Sequence, residues 1–277
     1  MKFSAIAAGA AFAASVAVAA PNTAARWAKH EARRAGRSSG FRQPAEDDGV
    51  YAIPFDQELT FRHKVNGTDK NVDYSTNWAG AVLSSSGYTK VVGTFTVPTP
   101  KAVNGKAGSA SAWVGIDGDT CGTAILQTGL DFNVAANGKV TYDAWYEWYP
   151  DYAYDFSGIT FTAGDQVTVT VVASSKSAGT ATIKNLNTGK SVSHSFSSET
   201  NKLCEYDAEW IVEDYESGGS LVSLANFGTV TFTGASATKS GTTVGVTGAD
   251  ILDIKQSNTI YTDCSTSGSS TVTCKYV

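Results

Sequence analysis

From Tyr74 onward the chain alternates apolar and polar positions in short runs with a period of two. Residues 90–97, 166–172 and 228–233 interleave β-branched and aromatic side chains with polar ones, the pattern of strands that bury one face. Turn-forming clusters such as Ala163-Gly164-Asp165 and Asn187-Thr188-Gly189-Lys190 separate them. No stretch of helical period and convincing length follows residue 73. Many short strands with short connections predict an all-β domain of antiparallel sheets packed as a β-sandwich. The 204 residues of 74–277 suffice for one such domain with a sizeable core. They contain no tandem repeat or low-complexity array.

Two stretches carry an unusual alternation. If Tyr142-Asp143-Ala144-Trp145-Tyr146-Glu147-Trp148-Tyr149 is extended, Tyr142, Ala144, Tyr146 and Trp148 share one face. Asp143, Trp145, Glu147 and Tyr149 share the other, a set odd for a core and natural for a substrate groove; a solvated face with amphipathic aromatics would read the same. In Ala208-Glu209-Trp210-Ile211-Val212-Glu213-Asp214, Glu209, Ile211 and Glu213 lie opposite Ala208, Trp210 and Val212. Gln127 follows the apolar run 124–126 and needs hydrogen-bond partners wherever it points.

The N-terminal end differs in kind. Lys2, an alanine-rich apolar run over residues 3–18 and the small-x-small triplet Ala17-Val18-Ala19 predict a secretory signal peptide over residues 1–19. The run is too short for a convincing membrane anchor. Residues 20–73 read as a basic propeptide, with Arg26, Lys29, Arg33, Arg34, Arg37 and Arg42 against only Glu31 before residue 46. A basic tail can also mark nucleic-acid or membrane binding. In an exported chain with an acidic remainder, a cleaved segment is the favoured reading. The first 73 residues carry ten basic and eight acidic groups, the rest eleven and eighteen, so the front could dock over an acidic cleft and leave when acid neutralises it. The sequon Asn66-Gly67-Thr68 falls in this segment.

Charge then narrows the chemistry. Residues 74–277 contain no arginine and one histidine, His194. A Ser-His-Asp or Cys-His triad needs an imidazole base, and His194 lies on an alternating strand, Ser191-Val192-Ser193-His194-Ser195-Phe196, where it is expected to face solvent. No Asp-Thr-Gly or Asp-Ser-Gly pair, phosphate loop or nucleic-acid signature occurs. Four cysteines in an exported chain predict two disulfides, with three connectivities open. Cys264 and Cys274 flank a turn-forming sequence, Ser265-Thr266-Ser267-Gly268-Ser269-Ser270, which favours their local pairing and leaves Cys121 to join Cys204. No CxxC is present, so a zinc site is a poor rival and no metal or cofactor is expected. Carboxylate chemistry remains.

The run Asn77-Trp78-Ala79-Gly80-Ala81-Val82, the Trp113-Val114-Gly115-Ile116-Asp117-Gly118 and Ile125-Leu126-Gln127-Thr128-Gly129 motifs, the 142–156 block and the Glu209 block resemble the fungal glutamic peptidases, the eqolisin family. The resemblance covers essentially all of residues 74–277. It implies a secreted, acid-active, pepstatin-insensitive endopeptidase with two seven-stranded antiparallel sheets, made as a preproenzyme and acting on polypeptides. It implies a catalytic pair falling on Gln127 and Glu209, with Trp113, Asp117, Asp131, Asp143, Trp145, Glu147 and Tyr149 lining or supporting the cleft. The propeptide is then expected to act as an intramolecular inhibitor of a monomer. Some relatives lose an insertion and become two-chained; only residues 99–111 bridge the corresponding place here, so one mature chain is expected. Two other classes fit part of the pattern. A sandwich glycoside hydrolase would also use paired carboxylates, and a carbohydrate-binding module would stack sugars on Trp145, Trp148 and Tyr149.

Overall fold

Period-two patterning becomes nineteen strands, and no helix, among the described residues of a computed structural model covering residues 37–45 and 72–277. The expected signal peptide, the propeptide over residues 20–36 and 46–71, and the sequon at Asn66 lie outside the described residues. In chain order the first strands are β1 (Arg37–Ser38), β2 (Val72–Ser75), β3 (Trp78–Ser84), β4 (Tyr88–Thr96), β5 (Gly108–Ile116) and β6 (Ile125–Val134). Next come β7 (Val140–Tyr149), β8 (Tyr154–Asp155), β9 (Gln166–Ser175), β10 (Ala178–Asn185), β11 (Ser191–Phe196) and β12 (Asp207–Glu213). The last are β13 (Glu216–Ser217), β14 (Thr229–Lys239), β15 (Thr242–Val244), β16 (Asp250–Gln256), β17 (Thr259–Ile260), β18 (Thr262–Ser267) and β19 (Thr271–Tyr276).

Two large sheets make a sandwich. One has the order β11-β10-β9-β4-β14-β19-β18, with β15 beside β14. The other runs β17-β16-β3-β12-β5-β6-β7-β8, with β2 added to β16. The only parallel pair among the described strands is β2 with β16. The sheets have eight and nine strands rather than seven each, because the short pieces β15, β8 and β17 extend their edges. β2 runs from Val72 to Ser75 and so spans the expected propeptide junction between residues 73 and 74.

The core between the sheets is aliphatic and aromatic. On β9, Val167, Val169 and Val171 are buried while Thr168 and Thr170 turn outward, as the alternation requires. Phe95 makes edge contacts with Phe132 and Phe232 at 6.4 and 5.4 Å between ring centroids. Trp210 reaches across to donate its indole N–H to the carbonyl of Val92 at 2.8 Å. Gly93 makes that crossing possible: a Cβ there would lie 3.1 Å from Trp210 and 3.2 Å from Val114.

The nine-stranded sheet is also covered on its other face. Trp78, Val82, Trp113, Ile125, Trp145, Ile211 and Leu252 form a second buried cluster there, with Phe41 and Tyr149 packed against it. Every residue of β12 is therefore buried. The Cys121–Cys204 and Cys264–Cys274 disulfides form as favoured. The first links residues 83 apart, a closure worth about 4 kcal/mol, and ties the β5–β6 connection to the approach to β12. His194 departs from expectation. It is half-buried, with its ring stacked on Tyr146 at 4.1 Å, because β11 is a sheet edge that folds its apolar side over the aromatic end of β7; burial lowers its pKa.

Candidate active site

Antiparallel register brings Glu209, Gly115 and Gln127 into one row across β12, β5 and β6. Glu209 is paired with Gly115, and Gly115 with Gln127. Glu147 on β7 extends the row beyond Gln127. Directly paired residues project to the same face of a sheet, here the face away from the sandwich core. The next row holds Trp145, Gly129, Trp113 and Ile211, and a third holds Asp143, Asp131, Ser111 and Glu213.

Gln127 and Glu209 are two strand spacings apart, about 9–10 Å between Cα atoms. Gly115 leaves the space between them open. A Cβ on it would sit 3.0 Å from Glu209 Oε2, so the carboxyl leans over Gly115 toward the strand of Gln127. Both side chains are wholly buried, Gln127 against the backbone of residues 37–45 at Ser39.

The Gln127 amide is oriented by what surrounds it. Nε2 donates to the Ser39 carbonyl at 2.8 Å and to Glu147 Oε2 at 3.2 Å. Turning the amide over would set its oxygen against the Ser39 carbonyl oxygen, so the donor must face this way. Oε1 has no donor among the described residues.

Neither oxygen of Glu209 has a hydrogen-bonded partner among the described residues. Burial, with Asp207, Asp119 and Asp117 nearby, pushes its pKa well above the ordinary value, and the Asp119 amide opposes this only weakly. Burial similarly raises Asp207 to about 6 and Glu213 to about 8.

The supporting residues divide by what they hold. Asp117, in a left-handed conformation at φ 71°, accepts the backbone N–H groups of Cys204, Glu205, Tyr206 and Asp207 at 2.6–3.2 Å. It thereby fixes the chain that leads into Glu209. Glu213 accepts the indole N–H of Trp113 at 2.9 Å and of Trp78 at 3.2 Å. Trp145 donates to Ser111 at 3.1 Å. Asp143 accepts from Asn133 at 2.9 Å toward the edge. Asp117, Cys121 and Cys204 bring a carboxylate and two sulfurs together, but the sulfurs are joined in the disulfide and offer no thiolate for a metal.

Residues 37–45 lie across this face. Arg37 donates through Nε and Nη2 to Asp131, both at 2.6 Å, and its guanidinium lies 4.0 Å over Trp145 and 4.6 Å over Tyr215. Burial disfavours its charge, but Asp131 and Glu147 outweigh that and hold it more firmly protonated than a free arginine. The Ser39 N–H donates to Glu147 at 3.2 Å. Phe41 meets the ring of Tyr149 edge-on at 4.6 Å, and Arg42 pairs with Asp119 at 2.9 Å.

All nine expected site residues thus fall on or beside one face. Gly115, Glu213, Asp207 and Tyr215 were not nominated from sequence. Alternation had put Glu213 on the side of Glu209, whereas Gly115 acquires meaning only from its cross-strand register.

Comparison with known proteins agrees in family and fold. Residues 76–276 match the Peptidase A4 family. Aspergillopepsin-2 of Aspergillus niger is 52% identical over 298 aligned positions covering 100% of both chains. Scytalidopepsin B of Scytalidium lignicola is 44% identical, covering 91% of this chain and 90% of that one. A crystal structure of scytalido-glutamic peptidase with a transition state analog inhibitor superposes with a TM-score of 0.68 at 46% identity, covering 73% of this chain and 98% of that one. The chain belongs to the Peptidase A4 family, the eqolisins, and is a glutamic endopeptidase.

Proposed function

We propose that the chain is the precursor of a secreted, monomeric acid endopeptidase in which Glu209 activates water and Gln127 stabilises the tetrahedral intermediate. The observation that carries this is the row Gln127–Gly115–Glu209, which sets an amide and a carboxyl on one face on either side of a residue without a side chain, with the carboxyl reaching over that residue. Ionised Glu209 takes a proton from water as the water attacks a peptide carbonyl, and returns it to the leaving amine. Such a transfer supplies about two to four orders of magnitude in rate. The Gln127 amide donates to the developing oxyanion, worth about two to three orders for one donor. An amide does not titrate, so this donor survives in acid.

In the covered cleft Glu209 is desolvated and tends to hold its proton. Departure of residues 37–45 would let water reach the carboxyl and lower its pKa toward the working range. The same residues occupy the Gln127 amide, so the precursor is latent while they stay. Residues 1–19 serve export, and residues 20–73 are removed to give a single mature chain spanning 74–277, which takes unfolded polypeptide without metal or cofactor.

Digestion of acid-denatured haemoglobin with and without pepstatin tests the assignment. Activity should persist with pepstatin and disappear in Glu209→Gln and Gln127→Ala chains that keep the native circular dichroism spectrum. A folded Glu209→Gln chain with full activity would falsify the mechanism.

A further inference from the structure

Asn77 stands just before β3, next to Trp78, whose indole meets Trp113 edge-on at 4.9 Å in the aromatic cluster on the cleft face. The side chain is buried, only 2% exposed, and its amide meets the main chain of residues 41–43. Nδ2 donates to the Phe41 carbonyl at 3.1 Å, and Oδ1 accepts the Gln43 N–H at 2.9 Å. Turning the amide over would set oxygen against oxygen and NH₂ against N–H, so this orientation is fixed. The Gln43 carbonyl accepts the Thr76 N–H at 2.8 Å, and the Ala45 N–H donates to the Tyr74 carbonyl at 3.3 Å. The turn that carries Asn77 is held independently of residues 41–45. Its own carbonyl accepts the Asp214 N–H at 2.9 Å, the Thr76 carbonyl accepts Gln256 Nε2 at 2.8 Å, and the Ser75 hydroxyl oxygen accepts the Trp78 N–H at 3.1 Å.

Phe41 and Arg42 also use their side chains, on Tyr149 and Asp119. Asn77, by contrast, grips only groups that every peptide carries, a carbonyl and an N–H, and an extended chain of any sequence repeats them along its edge. We propose that Asn77 is a substrate-binding residue of the mature enzyme, whose amide holds the main chain of the polypeptide downstream of the residue on Gln127. This rests on Gln127 facing the substrate as proposed above. The spacing comes from the chain that lies there now. Ser39 is on Gln127, and Phe41 and Gln43 are on Asn77, so the carbonyl contact falls two residues and the N–H contact four residues past the residue on Gln127. Because the turn is already rigid, binding has to order the substrate but not this part of the enzyme. A neutral hydrogen bond of this kind is worth about fivefold in an equilibrium. The site therefore reads length rather than sequence, and favours long unfolded chains over short peptides.

The test measures kcat and KM of the acid-activated enzyme on one synthetic peptide cut at a single bond, made with one or with five residues after that bond. In the wild-type chain the longer peptide should have the lower KM, and Asn77→Ala should cut that advantage by on the order of tenfold, the change falling on KM rather than kcat. The longer peptide N-methylated on the fourth residue after the bond lacks the N–H that meets Oδ1. It should lose about fivefold in KM with the wild-type chain and nothing further with Asn77→Ala, a non-additivity that a merely damaged fold does not produce. An equal length advantage in both chains, or an N-methyl loss that persists in Asn77→Ala, overturns the inference. The Gln127→Ala chain separates the two levels. If it cuts the short peptide with undiminished kcat, the role of Gln127 fails and this inference with it. If Gln127 is needed while the length advantage ignores Asn77, the Asn77 contact alone fails.

Discussion

Arg37 and Asp131 are joined by two hydrogen bonds of 2.6 Å, from Nε to Oδ2 and from Nη2 to Oδ1, although they stand 94 positions apart in sequence. Such a bidentate pair is the strongest form of the contact, and here it is almost wholly screened from solvent. Breaking one partner of a buried pair costs about 3–5 kcal/mol. A peptide of residues 37–45 should therefore bind the matured Glu209→Gln chain, and its Arg37→Gln version should bind more weakly by on the order of a hundredfold or more. Isothermal titration reads both.

The same contact should respond to pH. Burial raises the carboxyls of both Asp131 and Glu147 despite Arg37 beside them. As pH falls through those raised values the two partners become neutral, and a buried guanidinium is left without compensation. Arg37 itself lowers both carboxyls against the rise that burial gives them, so the advantage of the 37–45 peptide over its Arg37→Gln version should shrink as pH is lowered. An equal advantage at pH 7 and pH 4 would count against the electrostatic account.

Gly115 supports a second expectation. A methyl group there would lie 3.0 Å from Glu209 Oε2 and 2.8 Å from Trp113 Cζ3, so the Glu209 carboxyl or the indole must move. Displacement of a reacting group by about 1 Å can cost on the order of a hundredfold in rate, and overpacking a dense site costs about 1–3 kcal/mol. Gly115→Ala should lower kcat by that order, with a melting temperature still well above assay temperature. Unchanged kcat would mean that the gap over Gly115 has no part in the reaction.

Stability should be greatest in acid. Glu213 is raised to about 8, Asp214 to about 7 and Asp207 to about 6, in each case chiefly by burial. Unfolded carboxyls release their protons near pH 4, so between about pH 4 and pH 8 the folded chain binds more protons than the unfolded one. Stability then falls as pH rises through that window, by on the order of several kcal/mol. Melting of the Glu209→Gln precursor at pH 4 and pH 8 should show the higher value at pH 4. Replacing Glu213 by Gln should flatten the difference, since one ionisable group leaves the set.

Much of this was legible in the sequence, and the remainder depends on pairings that no single strand encodes. Alternation alone assigned Glu209, Ile211 and Glu213 to one face, and Asp143, Trp145, Glu147 and Tyr149 to another, because side chains in a strand alternate without regard to partners. The family motifs located Gln127. Neither could reveal that Gly115 separates Gln127 from Glu209, since register is set by tertiary pairing. Arg37 looked like one basic residue among several. Its place on Asp131 became visible only when the strand partners of Ser111 and Glu147 were known. His194 was misread because alternation marks a face as inner or outer but cannot show what folds over a sheet edge.

Asp117 carries a last expectation. Its two oxygens accept four consecutive backbone N–H groups, from Cys204 to Asp207, and these lead directly into the strand that begins at Asp207 and carries Glu209. Burial raises its pKa while those four bonds oppose the rise. Asn at this position keeps the shape but has one accepting oxygen, so its NH₂ group would face N–H donors. Leaving buried donors unsatisfied costs about 1–3 kcal/mol each. Asp117→Asn should lower stability by on the order of 2–4 kcal/mol and reduce kcat more than KM, because the loop that sets Glu209 loosens while the Trp145 side of the cleft is untouched. Denaturant unfolding reads the first change and peptide hydrolysis kinetics the second. A chain that keeps wild-type kcat despite the lost stability would show that Glu209 is positioned by its strand alone.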